Sequence, residues 1–116
     1  MLFNQTQNQI LIEKIKIAKT HHQKAKGLMF ENKNKFDYAL IFDFEKEVRM
    51  QASLHMMFVF FPITVLFLDS EKKIIEVANL KPFQLNYTPK HKVRYALEVP
   101  VRLEPKVKLG DELKWE

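Results

Sequence analysis

Strict alternation of apolar and polar side chains constrains this chain more than any other feature. Val93, Tyr95, Leu97 and Val99 alternate with Arg94, Ala96 and Glu98 without a break. Tyr38, Leu40, Phe42 and Phe44 alternate on one strand face, with Ala39, Ile41 and Asp43 opposite. A period of two places successive side chains on opposite faces of a strand, so these runs predict β structure and exclude a helical bundle. Two further stretches, Leu54 to Phe61 and Ile63 to Leu68, are apolar at nearly every position. That pattern predicts strands buried on both faces, with Pro62 interrupting the ladder between them. The 116 residues suffice for one domain with its own core, expected to span 1–116.

The remaining segments supply the connections. Gln9 to Ala18 reads as one strand with a change of parity near Glu13–Lys14, the mark of a bulge or twist. Thr20 with Gln23 three residues later forms a capping-box pattern, predicting a short helix near residues 20–27 that ends at Gly27. Glu31 to Lys35 reads as a polar loop and Glu45 to Arg49 as a charged turn. Asp69 to Lys72 turns the chain into a hairpin partner from Lys73 to Asn79, and Lys81 to Pro89 is a loop. After Pro100, Val107 and Leu109 lead to the turn Gly110–Asp111 and a last strand holding Leu113 and Trp115. Seven or eight short strands with one short helix predict a mainly β fold, a compact barrel or a two-sheet sandwich.

Composition removes several function classes. No cysteine is present, which excludes a disulfide framework, a cysteine zinc site and a thiol nucleophile. Two glycines leave no room for a phosphate-binding loop or a dinucleotide fingerprint. Neither Ser53 nor Ser70 sits in a nucleophile-elbow sequence. No cofactor is expected. The first residues carry no secretion-signal pattern, and the longest apolar stretch is too short to span a bilayer, so the expected location is cytoplasmic and no membrane partner is expected.

The formal net charge of +5 is uneven. All of the excess lies in residues 1–36, which hold seven Lys against Glu13 and Glu31. A polyanion partner fits that bias. The simpler reading is a solvated lysine surface, and sixteen Lys against three Arg favours it, because bidentate phosphate recognition prefers Arg.

An ordered set of short motifs narrows the reading further. Lys26-Gly27-Leu28-Met29-Phe30, Ala39-Leu40-Ile41-Phe42, Pro62 to Asp69, Tyr95-Ala96-Leu97-Glu98-Val99-Pro100 and Gly110-Asp111 occur in that order. Together they resemble the domain of unknown function 192 family, in particular its archaeal branch, over residues of about 17–115. The resemblance implies a mainly β fold of sandwich or barrel type and no established activity. The chain departs from the family pattern in two places. Met56-Met57-Phe58-Val59 stands where many members carry Met-Lys-Asn-Thr, with Thr64 in place of a following Asp. Val101-Arg102 replaces a common Ala-Gly. Both changes argue against carrying over catalytic roles.

Candidate chemistry is correspondingly sparse, and no residue is assigned as catalytic or metal-binding. His55 lies in an apolar run, either as a base or ligand or as a core histidine with its ring satisfied. His21 and His22 are neighbours whose side chains would diverge by about 100° on a helix, which disfavours a shared metal. Glu98 is either a polar anchor or acid–base group in a cavity or a carboxylate pairing across the sheet. Met29, His55, Met57 and Glu98 are the expected lining of a small-ligand or protein site in a Met-rich apolar middle. The leading expectation is therefore a non-catalytic binding module for a small molecule or a protein. The alternative is an RNA-binding accessory protein in which Phe83 and Tyr87 stack bases while Lys90, Lys92 and Arg94 hold phosphates. A third expectation is an enzyme with Glu98 as acid or base, which requires Glu98 and His55 to converge.

Overall fold

The computed structural model describes residues 1–116, apart from the side chains of His21 and His22. The divergence expected of those two side chains lies outside the described residues. Eight strands form two sheets. The larger contains β3 (Lys14–Ala18), β4 (Tyr38–Val48), β7 (Val93–Val99), β5 (Ile63–Leu68) and β6 (Ile74–Leu80), in that order across the sheet. The smaller has the order β2 (Gln9–Ile12), β1 (Leu2–Asn4), β8 (Leu113–Trp115). One short helix, α1, spans His21–Lys26. The fold is mainly β with two separate sheets. The larger is open, with β3 and β6 at its edges, so the barrel alternative is not realised.

The cleanest alternation becomes the centre of the larger sheet. β7 pairs antiparallel with β4 on one side and β5 on the other, placing Glu98 opposite both Leu40 and Val65. Its two faces meet different cores. Tyr95, Leu97 and Val99 join Ile41, Leu66 and Leu68 against Leu2, Leu11 and Leu113 of the smaller sheet. Leu103 and Val107 complete this layer from a 3-10 turn over Val101–Lys106 and the residue after it. Ala96, with Leu40, Phe42, Val65 and Phe67, faces Leu28, Ala52, Met56, Val59 and Phe61 from the connections.

Three sequence expectations need correction. Gln9 to Ala18 is two strands, because the chain leaves the small sheet at Glu13 and enters the large one, where β3 pairs parallel with β4. The change of parity is that crossing. Glu45 to Arg49 is no simple turn. β4 continues to Val48 across an irregularity at which Glu45 takes φ 68°. Leu54 to Phe61 is no strand. It makes one isolated bridge, Leu54 to Tyr87, and is otherwise stitched to its surroundings by single long-range backbone bonds such as Met56 N–H to the Gln84 carbonyl at 2.8 Å. Met56, Val59 and Phe61 turn inward while Met57, Phe58 and Phe60 are exposed, so its apolar character serves two surfaces. The short strand β1 and the Val101–Lys106 turn carry too little periodicity to be seen in sequence.

Candidate functional site

The second face of the large sheet has an irregular roof, and the candidate site lies beneath it. Thr20 builds the first part. Its hydroxyl accepts the Gln23 N–H at 3.0 Å, and the Gln23 side chain accepts the Thr20 N–H at 3.1 Å, which closes the expected capping box. Seven residues after Thr20, the Gly27 N–H donates to the Gln23 carbonyl at 3.1 Å and ends the helix with φ +49°. A side chain there would be strained, and an added Cβ would lie 3.5 Å from Glu98 Oε1. The glycine thus lets the backbone close over a carboxyl group.

That carboxyl is the most unusual group in the molecule. Glu98 is 4% exposed, and its Oε1 is buried with no hydrogen-bond partner among the described residues. Leaving a buried polar atom unpaired is costly, and native folds rarely do so without a role for it. Burial pushes the Glu98 carboxyl up to about 8, so it is neutral through the mildly acidic and neutral range. A protonated carboxyl both donates and accepts a hydrogen bond. It lines a hollow of about 200 Å³ together with Lys24, Lys26, Ser53, His55, Met56 and other residues of the roof.

The expected site residues divide. His55 and Glu98 both line this one hollow. His55 is exposed at the rim, however, and its Nδ1 accepts the Met57 N–H at 3.2 Å, which corrects its placement in an apolar run as a core residue. Met29 lines a neighbouring hollow of about 260 Å³ on the other side of Lys26–Gly27. There the Tyr38 hydroxyl donates to Glu31, and Lys16 sits 4.0 Å above the Tyr38 ring. The Tyr38 bond holds the Glu31 carboxyl below the usual range. Met57 lines neither hollow and is exposed.

The residues considered for nucleic acid do not form one groove. The Tyr87 ring stacks on core Phe67, and its hydroxyl donates to Glu76, which also accepts the Lys90 backbone N–H at 2.8 Å. Burial and then the Glu76 bond raise the Tyr87 hydroxyl to about 12. Arg94 is forked onto Asp43, with Nε–Oδ1 2.6 Å and Nη2–Oδ2 3.2 Å. Lys92 is exposed, and Phe83 is exposed among other phenylalanines.

Sequence reasoning missed Lys24, Lys26, Ser53 and the closure by Gly27. The available signal was Gly27 itself, one of only two glycines, placed directly after a predicted helix.

Comparison with known proteins supports the fold and extends it to a family. The DUF192 family, described as uncharacterized ACR, matches residues 2–115. The chain is 37% identical over 117 residues to a UPF0127 protein of Pyrococcus horikoshii, covering 99% of this chain and 98% of that one. It is 35% identical over 118 residues to a UPF0127 protein of Thermococcus sibiricus, covering all of this chain and 75% of that one. A crystal structure from Sinorhizobium meliloti 1021 superposes with a TM-score of 0.77 at 24% identity, over 86% of this chain and 79% of the other. A protein of unknown function from Novosphingobium aromaticivorans gives a TM-score of 0.75 at 23% identity, over 87% and 74%.

Proposed function

The chain belongs to the DUF192 family, and from that premise we propose that it is a small-ligand-binding module whose site is the hollow over Glu98. The observation that carries this reading is the buried Glu98 carboxyl, unpartnered at Oε1 and lining a cavity of about 200 Å³. A ligand that hydrogen-bonds this carboxyl satisfies a group the fold leaves unsatisfied, and so gains affinity that a surface site lacks. Lys24 and Lys26 line the same hollow, which favours a small polar ligand with anionic character toward the helix side. Lys24 Nζ also donates to the Asp43 carbonyl at 3.2 Å, leaving Lys26 the freer cation.

Native mass spectrometry of gently purified protein at low salt tests the reading, with Glu98→Leu, which removes both the donor and the acceptor, as the paired variant. The expected result is an added small mass on the wild-type chain that the variant lacks, and a rise in melting temperature when the recovered compound is returned. A bare wild-type chain, together with no thermal shift across a saturating metabolite screen, overturns it. So does equal retention of the compound by Glu98→Leu.

A second reading, acid–base catalysis by Glu98, is favoured by His55 lining the same hollow. It predicts that the recovered compound is chemically changed by the wild type and bound but unchanged by Glu98→Gln.

A further inference from the structure

Four phenylalanines from three separate connections meet on the surface beside the roof. Phe30 follows α1, Phe58 and Phe60 lie in the 54–61 segment, and Phe83 lies in the loop after β6. Phe30 and Phe58 stack with ring centres 4.8 Å apart, Phe58 meets Phe83 edge-on at 6.1 Å, and Phe60 meets Phe83 edge-on at 5.0 Å. All four are exposed, Phe30 to 66% and Phe60 to 61%. Three of them hold a left-handed backbone: Phe30 at φ 62°, Phe58 at 57° and Phe83 at 60°. Bulky residues seldom adopt that conformation. Here it recurs at the tips of the connections that present the rings. Met57, also exposed, adds to the same surface.

The charge beside this cluster is mostly basic: Lys16 and Lys26 line hollows with Phe30, where Glu31 is the one acidic residue. Lys14 to Phe30, Arg49 to Leu68 and Val77 to Leu97 are the stretches that carry the rings, and none contains an acidic residue. Their basic residues are eight lysines, of which Lys14 pairs with Asp37 and Lys24 donates to the Asp43 carbonyl, together with Arg49, which donates to the Pro89 carbonyl at 3.2 Å, and Arg94, which pairs with Asp43. Lys26 lines a shallow apolar hollow with Ala25, Met29 and Phe30, and Lys81 lies two residues before Phe83. Glu31, the nearest acid in sequence, is occupied by the Tyr38 hydroxyl and the Asn32 N–H.

We propose that this phenylalanine cluster is a peripheral docking surface for anionic lipid headgroups, with the rings entering the acyl boundary and the flanking lysines meeting the phosphates. Charge complementarity selects an anionic partner. Ring geometry then separates lipid from nucleic acid. Phe30 and Phe58 cover one face of each other and the other contacts are edge-on, so the rings form a compact apolar cluster rather than a row of parallel platforms for successive bases. The flanking cations are lysines, point charges that suit fluid headgroups, while Arg94 and Arg49 are engaged within the protein. Lys26 borders both this surface and the Glu98 hollow, but none of the four rings, nor Lys81, lines that hollow, so variants of those residues test this surface separately from the ligand reading.

Co-sedimentation of the full chain with phosphatidylcholine vesicles, with and without phosphatidylglycerol, tests it. Wild type should bind only the anionic vesicles and release as salt rises. Phe60→Ser with Phe83→Ser should weaken binding by at least about tenfold, since two inserted rings are lost. Lys81→Glu, which removes no packing, should weaken it by about fivefold or more. Circular dichroism and melting temperature verify that each variant is folded. No binding to anionic vesicles, or binding unchanged in all these variants, overturns the proposal. Two other results also overturn it: phenylalanine-dependent binding to a poly(U) oligonucleotide without vesicle binding assigns the surface to nucleic acid, and phenylalanine-dependent self-association without vesicle binding assigns it to a second copy.

Discussion

The two faces of the large sheet are covered by different means, and the difference separates a closed layer from an incompletely closed one. One face lies against a second sheet and a 3-10 turn, and its buried side chains are almost all aliphatic. The polar groups at its margin are fully partnered. Asn4 and Gln7 side-chain amides donate to Asp111 Oδ2 at 2.8 and 2.7 Å, and the Lys108 N–H adds a third bond at 2.9 Å. The other face is roofed by α1 and by loops. It contains an unpartnered carboxyl, two hollows and the exposed phenylalanines. A sheet-on-sheet layer closes with regular interdigitation and leaves no room for chemistry. A roof of connections closes incompletely, and that is where a binding site can be held.

Neighbouring residues on one strand give the sharpest way to break this comparison. Leu97 and Glu98 are adjacent on β7 and point to opposite faces. Leu97→Ala removes a fully buried side chain from the closed face and should cost about 2–5 kcal/mol in urea unfolding. Ligand binding at the roof should survive wherever the variant is folded. Disrupting the margin of the same face should cost less. Asp111→Ala leaves the Asn4 and Gln7 amides unmatched, for an expected loss of about 1–3 kcal/mol.

The pH dependence of the two carboxyls should run in opposite directions. Glu98 has its folded-state value raised to about 8 by burial, against an ordinary 4.5. Its unfavourable contribution is absent below about pH 4.5, where both folded and unfolded chains are protonated. As pH rises toward 8 the unfolded chain loses its proton while the folded chain keeps it, so stability falls across that window and then levels. Glu98→Gln should remove this decline and be more stable than wild type near pH 8, as melting temperatures across pH would reveal. Asp111 is the reverse case. Burial opposes its charge, but bonds from Asn4, Lys108 N–H and Gln7 outweigh burial and hold the carboxyl below its usual range. Its contribution is present above the unfolded value and is lost as pH falls through the lower folded one.

The smallest expected effect lies in the roof itself. Thr20→Ala removes the hydroxyl of the capping box and should cost about 1 kcal/mol. Amide exchange should show the loosening confined to α1 and Gly27, with β7 unchanged. Loosening that spreads into β7 would mean that roof and sheet unfold as one unit, and would blur the distinction between the two faces.

Much of the fold was legible because its cues are local. The alternations at Tyr38–Phe44 and Val93–Val99 fall within β4 and β7, and Thr20, Gln23 and Gly27 bound α1 as their chemistry requires. The candidate site was half legible. Glu98 stood out as a carboxylate in an apolar strand, and His55 does line the same hollow. Lys24, Lys26 and Ser53 gave no signal, since isolated lysines and serines read as surface. Leu54 to Phe61 misled because composition reports how apolar a segment is but does not reveal what it will pack against.

Sequence by itself determined that Tyr38–Phe44 and Val93–Val99 are extended, where the short helix begins and ends, and which side chains of those strands share a face, because each follows from backbone sterics and nearest neighbours in the chain. Only the tertiary structure decided that Glu13 is a crossing between sheets and that 54–61 splits its apolar side chains between core and surface. It also decided that Gly27 closes over Glu98 while leaving Oε1 without a partner. Those outcomes depend on which distant elements arrive opposite a given face, and a periodicity of two specifies the face without specifying its neighbour.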